Sequence, residues 1–246
     1  SIPVQRGEVP TTPVHKLSPL REDEIVQAAF AIPIEKNDLG ERYVLTITRQ
    51  GMVKKSLVTE LPGASANRFT LVKVNEGDEL FRVLLTDGKK EVLLTTAKGM
   101  SIRFSETDVR PMGLLAAGVN GIKLKEGDYV VGASLIEPGN EVGLVTNQGW
   151  AKRIKAEEFP QQGRYGQGVI SWKLKGEDSI VVQLCGKLTD RVVCHFRKSA
   201  SKVFTLTNAV ERTRQANGQI LFKLKPDDEL IGFTCLDDFS SYWEKA

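Results

Sequence analysis

The chain has 246 residues, 41% of them hydrophobic, with a formal net charge of +3 and only two histidines and three cysteines. That is ordinary globular material for one large domain or two small ones. It excludes a disulfide framework or a Cys-x-x-Cys zinc site, and it lacks both an 18-residue apolar run and a signal-peptide layout. His15 and His195 are too few and too far apart in sequence for a histidine-rich metal centre, and Cys185, Cys194 and Cys235 read as small buried hydrophobes.

In chain order, residues 1–26 read as the later half of a repeat whose first half is missing. SIPVQ reads as a strand, a Pro-rich stretch follows, and residues 21–31 (REDEIVQAAFA) occupy the place of an acidic turn and outgoing strand. The phrase then recurs in full four times. Each copy opens on a strand, a tight turn and a second strand: VLTITRQGMVKKS, VLLTTAKGMSIRF, VGLVTNQGWAKRI and the degraded VVCHFRKSASKVF. Gly51, Gly99 and Gly149 hold the turn position, where only glycine takes positive φ cheaply. Ser199 stands there in the fourth copy, which requires a longer turn or one of another type.

A Gly-, Pro-, Arg- and Gln-rich linker leads next into LVKVNEGDELF, GIKLKEGDYVV, SWKLKGEDSIV or LFKLKPDDELI, which places Asp78, Asp128, Asp178 and Asp228 50 residues apart. A fixed period of this length is the signature of a repeat or propeller, and many short strands with turn signals every 8–12 residues make it all-β. The expected organisation is a single domain over residues 1–238. It comprises a partial blade at 1–28, successive blades at about 29–83, 84–133, 134–183 and 184–236, and an acidic tail at 239–246. Five to six blades follow, from a chain that is either a piece of a longer polypeptide or a ring closed by both of its ends.

The charge is not spread evenly. The hairpin segments 49–60, 98–110, 148–158 and 197–214 carry +2, +1, +1 and +4, against −5 for the remaining chain. Three and four residues past each turn come Lys54 and Lys55, Arg103, Lys152 and Arg153, and Lys202. One repeated position on a disc would set these cations on one circumference, where a polyanion could follow them. Arg49, Lys98, Arg110, Lys155, Arg164, Arg197, Lys198, Arg212 and Arg214 would widen the track. The phased aspartates read as turn formers that accept backbone N–H bonds, since lysines beside each of them disfavour a metal. Trp150 and Trp172 read as packing residues. A protein-docking scaffold and a propeller enzyme are the competing classes. The enzyme would need paired carboxylates or clustered histidines at the axis, and no Gly-x-x-x-x-Gly-Lys-Ser/Thr loop is present.

Over residues 15–236 the repeats, with LTITRQGMVKKSLVTEL, VLLTTAKGMSIRFSETDVRPMG and GVNGIKLKEGDYVVGASL, resemble the C-terminal domain of the A subunit of bacterial type IIA topoisomerases, DNA gyrase above topoisomerase IV. The resemblance implies a β-pinwheel, a propeller-like disc whose blades exchange strands. It implies a non-catalytic domain that wraps duplex DNA on a basic rim so that a gyrase can introduce negative supercoils; in a topoisomerase IV it would bend DNA and select crossings. It further implies a cytoplasmic, nucleoid-associated parent whose cleavage core and ATPase subunit are the partners of this domain. ATP and Mg would be bound there, none within this stretch, and the domain itself would be monomeric. The family's wrapping signature, Gln-Arg-Arg-Gly-Gly-Lys-Gly, is matched at four of seven positions by Gln162-Gly163-Arg164-Tyr165-Gly166-Gln167-Gly168; if the whole protein has the intact box, it lies upstream of Ser1. Tyr43, Tyr129, Tyr165 and Tyr242 do not match the context of the DNA-cutting tyrosine.

Overall fold

The computed structural model describes residues 20–21, 23–28, 41–63 and 68–235. The acidic tail at 239–246 and most of the N-terminal partial blade lie outside them. Within 21–31, the described residues up to 28 form a turn and irregular backbone, not the expected strand. Arg21 and Glu24 pair there, and Glu24 also pairs with Arg68, so local ion pairing and not a sheet ladder organises this stretch.

Fifteen strands build four small sheets among the described residues. The first sheet holds β1 (Tyr43–Thr48), β2 (Met52–Leu57) and β3 (Leu80–Thr86), in the order β3-β1-β2. Its fourth, outermost strand is β6 (Val119–Asn120), which comes from the following repeat. The second sheet runs β7 (Val130–Ile136), β4 (Glu91–Thr96), β5 (Met100–Ser105), and is completed by β10 (Val169–Ile170). The third runs β11 (Ile180–Gly186), β8 (Glu141–Thr146), β9 (Trp150–Lys155), and is completed by β14 (Gln219–Ile220). The fourth has only β15 (Leu230–Cys235), β12 (Arg191–Phe196) and β13 (Lys202–Thr205). All pairings within the sheets are antiparallel.

Strands β3, β7, β11 and β15 lie against one another in succession, and the Arg82 guanidinium stands 6.0 Å from the ring centre of Phe233 on the last of them. These four therefore face the axis, and the short donated strands form the rim. Among the described residues the result is four blades, of the five to six expected, in a propeller-like disc whose outer strands are exchanged between neighbours.

The first three sheets are sandwiched, which explains why their strands read as almost continuous apolar runs, whereas β12 and β13 of the fourth alternate between buried and more exposed residues. Alternate residues of one strand serve two cores. In β4, Val92 and Leu94 pack with Leu45, Ile47 and Val53 of the first blade, while Leu93 packs with Val142, Leu144 and Phe159 of the third. The last interface joins Val145 and Leu184 to Val192, Cys194 and Phe204. All four blades also carry a register shift between their central strand and the axis-facing one, at Ile47/Thr48, Thr95/Thr96 and His195/Phe196 of the central strand and at Ile180/Val182 of β11.

The hairpin glycines serve the exchange directly. Gly99 has φ +85°, and a Cβ there would lie 2.3 Å from the carbonyl oxygen of Trp172, on the segment that follows the donated strand. The Gly99 carbonyl in turn accepts from Ser171 N and Trp172 N. In the fourth blade, where Ser199 replaces glycine, the connection spans residues 197–201, longer than the tight tips of the others. We expect Gly99→Ala to cost about 2 kcal/mol or more in urea unfolding, through both its φ and its contact. Gly63→Ala, with no atom near its would-be Cβ, should stay within about 0.5 kcal/mol of the parent.

Candidate nucleic-acid interface

The basic residues three and four positions past each turn sit in the middle of β2, β5 and β9, beneath the donated strand, and not on open surface. Lys54, Lys55 and Lys152 are buried, with Lys152 at 0% exposure. The Lys54 ammonium donates to the carbonyls of Leu71 and Leu114. That of Lys152 donates to Thr213, Arg214 and Ala216 at 3.3, 2.7 and 2.8 Å, with the Trp172 ring 4.8 Å away. All but that of Leu71, which lies between β2 and β3, belong to the linker that supplies the neighbouring rim strand.

The next residue along reaches the short 3-10 turn of the following blade. Lys55 donates to Glu106 O at 2.8 Å, Arg103 to Ala156 O and Phe159 O at 3.1 Å, and Arg153 to Ala209 O at 3.1 Å. Arg103 also pairs with Glu91, and Arg153 with Glu141 and Glu211. Val203 replaces this cation in the last blade and is 52% exposed. The expectation that Lys54, Lys55, Arg103, Lys152 and Arg153 form an open row of phosphate contacts is therefore corrected. Because both faces of the first three sheets are covered, their mid-strand cations are enclosed, and linker and turn carbonyls take up their donors.

The other expected site residues divide by position. Arg49 is half-buried at a hairpin tip, paired with Glu79 and 4.1 Å from the Phe81 ring centre. Lys98, Arg197 and Lys198 are exposed at the equivalent tips, where Lys98 donates to Glu126 O, Arg197 pairs with Glu229, and Lys198 lies 4.0 Å from Asp227. Arg164 and Arg214 are half-buried on the rim, each hooked onto the last carbonyl of the preceding donated strand, Asn120 O and Ile170 O. Arg110, Lys155 and Arg212 are exposed on or beside the linkers; Lys155 stands 3.7 Å from Glu211, and Arg212 donates to the carbonyl of that residue. Lys202 is exposed on β13, its ammonium 5.6 and 5.8 Å from the Phe196 and Phe222 ring centres.

A second set of cations escaped the sequence reading. Lys73, Lys123, Lys173 and Lys223 recur 50 residues apart, and Lys125, Lys175 and Lys225 follow them; all seven are exposed, and none has an ion pair among the described residues. Lys123, Lys173 and Lys223 come three residues past the last residue of each donated strand. Their phase matches that of the aspartates, a signal that could have found them.

The aspartates behave as turn formers. Asp78 Oδ1 accepts from Gln50 N and Glu79 N, Asp128 Oδ1 from Lys98 N and Tyr129 N, and Asp228 Oδ1 from Lys198 N and Glu229 N. Each thus ties the hairpin tip to the strand entering the axis. These bonds, that from the Ser199 hydroxyl first, hold the Asp228 carboxyl below its ordinary range. No group of three or more metal-ligating side chains occurs among the described residues, and none of their helices is long and apolar enough to cross a membrane. Trp172 is buried as expected of a packing residue, while Trp150 is 39% exposed.

The sequence pattern described as DNA gyrase C-terminal domain, beta-propeller, matches residues 42–87, 90–137, 141–182 and 202–237, well over half of the chain. The DNA gyrase A subunit of Halalkalibacterium halodurans is 38% identical over 110 residues, which cover 45% of this chain and 13% of that protein. Its counterpart from Escherichia coli is also 38% identical over 110 residues, covering 45% of this chain and 12% of its own length. The matched stretch is thus a small fraction of these relatives. Among solved structures, the C-terminal domain of DNA topoisomerase IV superposes with a TM-score of 0.81 at 28% identity, covering 91% of this chain and 69% of that one. The DNA gyrase A C-terminal domain does so with a TM-score of 0.78 at 21% identity, covering 93% and 76%, which is a likeness of fold.

Burial lowers the Lys152 pKa from the ordinary 10.5 to about 8, and it also lowers those of Lys54 and Lys55. Lys152→Met should cost about 2 kcal/mol in urea unfolding at pH 7, by leaving buried carbonyls without donors. Between about pH 8 and 10.5 the unfolded chain binds the Lys152 proton more tightly than the folded one, so the parent gains stability there as pH rises. The variant lacks that gain, and its deficit should widen across the same window.

Proposed function

The chain belongs to the DNA gyrase C-terminal domain family, and from that premise we propose that it is a non-catalytic module that holds duplex DNA along its rim and bends it. In the whole protein, one polypeptide of a type IIA topoisomerase, this bending would wrap DNA and present a crossing to a separate cleavage core. ATP and Mg would act in the other parts of that enzyme, including its ATPase subunit. On this reading residues 1–238 form one pinwheel and the acidic tail stands outside it.

The observation that carries the reading is the continuity of the rim. The linkers at 159–168 and 209–218 each rest on the segment donated before them, through Tyr165 N to Gly121 O and through Arg164 and Arg214 to the carbonyls of Asn120 and Ile170. Along this belt Arg110, Lys123, Lys155, Lys173, Arg212 and Lys223 are exposed at successive blades. B-DNA carries one charge per about 1.7 Å of axis, so phased cations on a curved edge can follow it without reading bases. Bending a short site smoothly costs on the order of 1–6 kcal/mol, which several phosphate contacts together offset. The described residues include no recognition helix and no zinc centre, so affinity should depend weakly on sequence.

A second reading, the equivalent domain of a topoisomerase IV, is favoured by the 28% identity and 0.81 TM-score to that structure. The full-length protein with its ATPase subunit separates the two. Supercoiling of relaxed plasmid supports gyrase, whereas decatenation without supercoiling supports topoisomerase IV.

The domain should bind linear duplex with log affinity falling steeply against log salt, with a slope of about −5 if six phosphates are engaged. Reversing Arg110, Lys123 and Arg212 to glutamate together should abolish binding at moderate salt while leaving the urea midpoint close to the parent's. A flat salt response would overturn the rim interface.

A further inference from the structure

Resting on the rim reading above, we infer that Tyr165 is an apolar wedge that packs against duplex DNA at the joint between the first two blades. Three observations carry this. First, Tyr165 has φ +67°, the left-handed region that a bulky residue seldom occupies. Among the described residues only Asp227 shares this feature without being glycine, and a short polar side chain tolerates it far better. A glycine would be the easy choice at position 165. Backbone strain retained at an exposed position is a pointer to use.

Second, the strain serves no core. The Tyr165 side chain is 49% exposed, and its hydroxyl has no hydrogen-bond partner among the described residues. The backbone beneath it is held firmly, with Tyr165 N donating to Gly121 O at 2.8 Å and Gly166 O accepting from Lys123 N at 2.9 Å. Arg164 anchors the same loop to Asn120 O and Asp108 O. The result is a firmly held backbone carrying a half-exposed aromatic ring.

Third, an exposed apolar side chain, without the positive φ, recurs at this place in the preceding linker, while Gln215 holds it in the following one. Leu115, one 50-residue period earlier, is 74% exposed at the same place in its linker. A large apolar side chain thus stands out of a basic rim at two successive blades, with Lys123 beside the second. Proteins that bend DNA combine cations with apolar side chains pressed into the minor groove, where they open a base step and localise the bend. Charge complementarity commits the occupant to duplex DNA: a protein partner matching only the apolar groups would leave the surrounding cations unpaired.

The test compares the parent with Y165G, Y165F and R110A on a linear duplex carrying a fluorophore at each end, measuring affinity over a salt series and end-to-end energy transfer. Y165G should unfold at a midpoint equal to or above the parent's, because glycine relieves the strain. It should bind about tenfold more weakly, the size of one lost aromatic contact, and bend DNA less, with an unchanged salt slope. Y165F should match the parent, and R110A should lower the slope by about 0.9. A Y165G protein that folds, binds and bends like the parent overturns the wedge while leaving the rim reading intact. Loss in Y165F equal to that in Y165G overturns it as well. A parent that binds no duplex even at low salt overturns the rim reading and this inference with it.

Discussion

The disc depends on buried cations donating to backbone carbonyls of the next repeat. Each hairpin is left with an open outer edge, and an open edge is an invitation to wrong pairing. The neighbouring linker covers it with a strand of only two residues at β6, β10 and β14, too few ladder bonds to hold a crossing segment. Lys54 and Lys152 add side-chain donors to the linker carbonyls, and Lys55, Arg103 and Arg153 add donors to the 3-10 turns beyond. An ammonium or guanidinium suits this role because one group can satisfy two or three carbonyls at once, and hydrogen bonds to charged groups are the stronger kind. Burying the charge is costly, as the lowered pKa of Lys152 records, and the carbonyl oxygens offset part of that cost.

From this clasp follows the division of basic residues into two kinds. Those in mid-strand hold one blade to the next. Those on the linkers and three residues past the donated strands, Arg110, Lys123, Lys173, Arg212 and Lys223 among them, face water. The first kind positions the second, because the linkers that carry the exposed cations are the segments the buried cations grip. Val203 fits the same logic: the last blade has no following blade among the described residues, and the clasp residue is absent there.

Much of this was legible in the sequence. The 50-residue period, the turn glycines and the phased aspartates each appear in the structure in the predicted role, because each is a local requirement: a positive φ, a close backbone approach, an acceptor for a turn amide. The strand exchange itself came from the family resemblance and not from any residue pattern. The misplacement of Lys54 and Lys152 has a simple cause. Alternation along a strand distinguishes inside from outside only when one face of the sheet is wet, and here both faces are covered, so Trp150-Ala151-Lys152-Arg153 offered no contrast to read. The carbonyls that receive Lys152 lie 61 to 64 residues away, beyond any local pattern. The lysines at 73, 123, 173 and 223 share the phase of the aspartates, and in the sequence alone nothing separates them from turn neighbours of those carboxylates.

Lysine-reactive footprinting of the folded domain, with and without a linear duplex and read residue by residue by mass spectrometry, tests the division most directly. Lys123, Lys173 and Lys223 should label readily in the free protein and be shielded by DNA, while Lys54, Lys55 and Lys152 should resist labelling in both states. Free labelling of Lys54 and Lys152 that DNA then suppresses, with Lys123 and Lys173 unaffected, would contradict the account.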